Sequence, residues 1–210
     1  MAESAIGSKN SRFGPVQVAI GLGALLSVGV AFYGLAYLGG YEAPPGVREN
    51  RAGLTTLAIH AVSAAVALLI GPFQFSARIR NRRRALHRYM GRTYVAACLI
   101  GGVSGGVLAW GGASGDVSRA GFGLLAAFWL TSTIMAWVSA VTADFAQHRV
   151  WMIRSFALTF AAVTLRLYLP ISMVAGFSFE TAYPLIAWAC WVPNLMVAEW
   201  WLRRRPTARA

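Results

Sequence analysis

Read only as hydrophobic and polar positions, the chain falls into six apolar runs separated by short polar breaks. The runs are Pro15–Gly39, Ala52–Phe75, Thr93–Gly112, Ala120–Ala143, Ser155–Gly176 and Pro184–Leu202. A helix rises about 1.5 Å per residue, so about twenty apolar residues cross the hydrocarbon of a bilayer. The pattern therefore predicts an all-α polytopic membrane bundle of six transmembrane helices. Residues 1–14 and 203–210 read as polar tails flanking one domain, 15–202, with 52–176 as its core. The first run is too long for the apolar core of a signal peptide, so an uncleaved helix is expected there.

The breaks differ sharply in charge. Ser76 to Arg92 holds seven of the nineteen basic residues and no acid. A loop this positive resists translocation, which makes it cytoplasmic and fixes the side of every other break. Asp144 to Arg154 is then the second inner loop, and both termini are cytoplasmic. Fifteen basic residues fall inside on this scheme, against Arg48, Arg51 and Arg119 outside, with Arg166 left within a span.

Composition adds exclusions. At 57% hydrophobic and 12% charged residues, a water-soluble domain is ruled out. The net charge of +12 sits at membrane boundaries and forms no soluble basic face, so nucleic acid is not an expected partner. Anionic lipid at the arginine loop is expected instead. Cys98 and Cys190 lie inside apolar runs, where a thiol behaves as a small hydrophobe, and no CxxC or disulfide framework exists. No nucleotide-binding loop and no HExxH is present.

The candidate chemistry lies in three histidines, one glutamine and one arginine. His60 sits about 10 Å in from the outer end of the second run, and Arg166 about 13 Å from the same side, so the two share an outer-half layer. His87 and His148 sit at the inner boundary, and Gln74 reaches the same depth. HRYMGR at His87–Arg92 and HRVWMIR at His148–Arg154 share one plan, as expected of two parallel hairpins. GGVSGG, Gly101 to Gly106, lets a helix or a flat cofactor approach closely, and close helix packing is the expected use.

His60, GPFQF (Gly71–Phe75), HRxxGR followed by Tyr94, HRxWMIRS (His148–Ser155) and Arg166 together give the chain a family resemblance. It resembles an uncharacterised family of small bacterial multi-pass membrane proteins, which implies a bacterial cytoplasmic (inner) membrane location. More distantly, the layout is similar to transmembrane b-type cytochromes, including ferric reductases, which hold haem between histidines facing across a bundle. Three histidines allow at most one bis-histidine haem b here, unless another group such as Met90 or Met152 acts as an axial ligand. His87 and His148 are its expected metal ligands, with Gln74, Arg88 and Arg149 around it. His60 and Arg166 then form a separate outer site for a quinone or a small anionic reductant. The alternative is a non-enzymatic membrane protein, for lipid or small-anion binding or transport, with structural histidines.

Overall fold

A computed structural model describes residues 15–35, 50–112 and 115–204 of the chain. Among them the regular elements are all α-helices. In chain order these are α1 (Pro15–Leu35), α2 (Gly53–Gln74), α3 (Ala77–Arg82), α4 (Arg84–Gly111) and α5 (Gly115–Val141). Then come α6 (Phe145–Thr159), α7 (Ala161–Val174), α8 (Phe179–Ala189) and α9 (Val192–Arg204). Among the described residues five stretches are long and apolar enough to cross a membrane: α2, α4, α5, α6–α7 and α8–α9. Helix α1 contributes a shorter fully described apolar stretch, Gly23–Tyr33.

The two arginine-bearing breaks are not the loops expected of them. Ser76 caps α3, accepting from Ile79 N at 3.4 Å, and α4 then starts at Arg84 and carries His87 inside a helix. Asp144 caps α6 in the same way, accepting from Gln147 N at 3.0 Å, so HRVWMIR is helical throughout. At α6 the Asp144 oxygen satisfies a helix-start N–H and lets the span begin early, whereas α4 starts at Arg84 with no side-chain cap, on arginines that are good helix formers. The Phe177–Tyr183 loop is likewise shorter than expected, because Ser178 caps α8, accepting from Thr181 N at 3.3 Å.

Helices α2, α4, α5 and α6 form the centre. Helix α4 packs between α2 and α5, and α6 packs on α5 with a lighter contact to α2. Helices α4 and α6 are therefore diagonal partners. Small residues allow this closeness. A β-carbon at Gly71 of α2 would overlap the Phe156 ring of α6, and one at Gly102 of α4 would lie 2.6 Å from Leu130 of α5. Helix α1 rests on α2 and α7, while α8 and α9 lie against α5, α6 and α7.

The last two spans are each broken once. Pro193 lacks an N–H and crowds the carbonyl four residues back, which ends α8 at Ala189 and restarts the helix at Val192. Thr164 and Asn194 both donate to the Cys190 carbonyl at this break, the Asn194 bond measuring 2.9 Å. At the α6–α7 break Thr159 bonds back to the Ser155 carbonyl at 2.9 Å, a contact that bends helices.

Candidate functional site at the arginine-loop end

His148, in the first turn of α6, directs Nδ1 at the Ala136 carbonyl of α5, 2.8 Å away. A carbonyl only accepts, so Nδ1 carries the hydrogen and a neutral ring keeps its lone pair on Nε2. His87, in the first turn of α4, lies within electrostatic reach of both His148 and Arg80. Its Nδ1 is buried and has no hydrogen-bond partner among the described residues. Gln74, at the end of α2, is buried, and its Nε2 also lacks a partner among them. A β-carbon at Gly91, one turn beyond His87, would lie 3.4 Å from Gln74 Oε1, so the amide rests against α4 beside the histidine.

The structure thus brings His87, His148 and Gln74 to one layer, on three helices. It does not bring the two expected arginines there equally. Arg88 is exposed, and Arg149 is exposed with its guanidinium 5.9 Å from the Trp201 ring centre on α9. Among the described residues, no group of three or more His, Cys, Asp or Glu side chains is placed to hold a metal ion.

Above this layer lies a buried hydroxyl network that the sequence reading did not identify. Tyr94 of α4 meets Ser155 and Thr159 of α6, each at 3.0 Å. Thr133 meets Ser155 at 2.7 Å, and Trp129 donates to Thr159 at 2.9 Å, both from α5. With the Thr159 proton on the Ser155 carbonyl, the order is set: Thr133 donates to Ser155, Ser155 to Tyr94, and Tyr94 to Thr159. Every hydroxyl is then satisfied, as burial requires. A signal was present, because Tyr94 and Ser155 each stand seven residues after a histidine of the repeat. That is roughly 10 Å further along each helix, so the network closes the bundle above the histidine layer.

At the opposite end, His60 donates from Nδ1 to the Gly101 carbonyl at 2.8 Å, and a β-carbon at Gly105 would lie 2.9 Å from its ring. The GGVSGG face is therefore packed by His60, Trp129 and Leu130, the close-packing use. Arg166 of α7 is half-buried and donates from Nη1 to the Ala162 carbonyl at 3.0 Å. Its guanidinium lies 5.4 Å from the centre of the Tyr33 ring of α1 and within electrostatic reach of His60.

A family model described as "Predicted membrane protein (DUF2306)" matches residues 57–202. The chain belongs to this DUF2306 family. The match spans every candidate residue from His60 to Arg166 and leaves α1, with Tyr33, outside it. No curated protein and no solved structure matches the chain. As a DUF2306 protein it is a multi-pass membrane protein, in keeping with its five membrane-length helical stretches.

Proposed function

We propose that the His87–His148 layer holds one b-type haem and that the protein carries electrons in a bacterial cytoplasmic membrane. The observation that carries this is the imidazole pair itself. The two rings come from diagonal helices at one depth, and the His148 Nδ1–Ala136 bond leaves Nε2 as the ligating nitrogen, the usual arrangement for a metal-bound histidine. The partnerless His87 Nδ1 and Gln74 Nε2 also suit a layer built around a further group. Bound there, haem would supply one-electron chemistry at iron. Arg80 and Arg88 are the candidate partners for its carboxylates, in preference to Arg149, which lies over Trp201. A quinone or small anionic reductant is the ligand class for the His60–Arg166 layer.

The test is the absorption of protein purified from haem-replete cells. A Soret band with split visible bands on dithionite reduction is expected, lost in both His87→Ala and His148→Ala and kept in His60→Ala. A colourless wild-type protein, or unchanged spectra in both inner variants, overturns the assignment.

One observation favours a second reading, a non-enzymatic membrane protein that binds lipid or a small anion. His60 and His148 make the same kind of interhelical bond to a backbone carbonyl, which is all that a structural histidine needs. On that account the protein is colourless, and His148→Ala lowers its melting temperature with no spectral consequence.

A further inference from the structure

Helices α4 and α5 part toward the end opposite the arginine loop and leave an open groove of about 970 Å³. Gly106, Gly123 and Ala127 form its floor, and Val103, Val107 and Trp110 form one wall. Arg51 and Arg119 stand at its mouth. We propose that this groove binds one anionic phospholipid, with an acyl chain along the glycine floor and the phosphate between Arg51 and Arg119.

The first argument is space that packing does not use. The gaps left by Gly102 and Gly105 are filled by Leu130 and His60. At Gly123, by contrast, a β-carbon would meet nothing within 4 Å, and at Gly106 the nearest atom would be 3.8 Å away. Glycine is disfavoured inside a helix, and helix contact does not explain it at Gly123. The space lies on the lipid-facing side, since Val103 is 60% and Trp110 84% exposed.

Length and charge name the occupant. Arg119 and Leu130, at the two ends of the α5 wall, are eleven residues apart, roughly 16 Å, which is about the hydrocarbon depth of one leaflet. Trp110 at the mouth suits the headgroup boundary. Arg119 donates to Asp116 Oδ1 at 3.1 Å and to the Gly112 carbonyl at 3.3 Å, and Arg51 is exposed beside it. Asp116, the carboxylate paired with Arg119, is 95% exposed and takes one guanidinium nitrogen, so it competes with a phosphate without blocking it.

Native mass spectrometry of the full chain, offered equal phosphatidylglycerol and phosphatidylcholine of matched chains, tests this. About fivefold or greater retention of phosphatidylglycerol is expected, as one to two interfacial arginines supply. Arg51→Gln with Arg119→Gln should lower phosphatidylglycerol retention by about fivefold and leave phosphatidylcholine unchanged, and Asp116→Asn should raise phosphatidylglycerol retention. Gly123→Leu should lower retention of both lipids at an unchanged melting temperature. Ala127→Leu, at an exposed position, serves as a second plug if Gly123→Leu does not fold. Arg82→Gln, in the arginine loop where anionic lipid is also expected, should leave the drop between its parent and the double variant unchanged. Phosphatidylglycerol retention equal to wild type in the double variant overturns the site. So do full lipid retention in the plugged variants, equal retention of both lipids by the wild type, and no retention by it. The last is the outcome if residues 36–49 or a second copy of the chain fill the groove.

Discussion

Single residues matter most where a polar group has no water to turn to. Tyr94, Thr133, Ser155 and Thr159 are 0–3% exposed, and each depends on the others for its hydrogen bonds. Tyr94→Phe keeps the ring against α6 but removes the one hydroxyl that joins α4 to the network. Ser155 and Thr159 then each lose a buried partner, so a loss of about 1–3 kcal/mol is expected, read as a lower melting temperature in detergent. An unchanged melting temperature would mean that the network contributes no stability. The sequence made the ionisable residues visible at this scale, because a histidine or arginine among apolar neighbours stands out. It hid the hydroxyls. Serine and threonine are common in membrane helices as bonds to their own backbone, as Thr56 does to Ala52 at 2.7 Å. Nothing in the residue type separates that role from a link across the bundle.

At the scale of elements, span centres were legible, and span ends only for the second run. The second run, Ala52–Phe75, matches α2 to within a residue at each end, with Pro72 inside its last turn. The third and fifth began roughly ten residues early, because the arginines that mark a boundary by charge are themselves good helix formers. This extension puts Arg154 on α6, where it reaches Glu199 of α9 through Nε at 2.6 Å and Nη2 at 3.1 Å. The guanidinium also lies 4.5 Å from the Trp151 ring centre. Such a two-pronged, partly covered pair is stronger than an exposed one. Glu199→Gln should weaken the α6–α9 contact by about 1–2 kcal/mol and raise proteolysis at the C-terminal end. Protection of α9 equal to wild type, by hydrogen exchange, would count against the pair as its anchor.

For the whole molecule, the strongest regularity is the two-hairpin repeat. His87 and His148 are 61 residues apart, and so are Tyr94 and Ser155. Each pair spans the bundle diagonal, on α4 and α6, so the short motif match corresponds to a shared placement of α2–α4 and α5–α6. Orientation rests on charge alone. Among the described residues eleven arginines lie at the arginine-loop end, against Arg51 and Arg119 at the other, so the arginine-loop end should face the cytoplasm, and the Arg51–Arg119 groove the outer leaflet. A cysteine placed at Ser76, with Cys98 and Cys190 replaced by alanine, tests this in intact cells. It should resist a membrane-impermeant maleimide until the cells are permeabilised. A cysteine at Asp116, beside Arg119, should label at once. Labelling of position 76 from outside would invert the bundle, putting the histidine layer outside and the lipid groove on the inner leaflet.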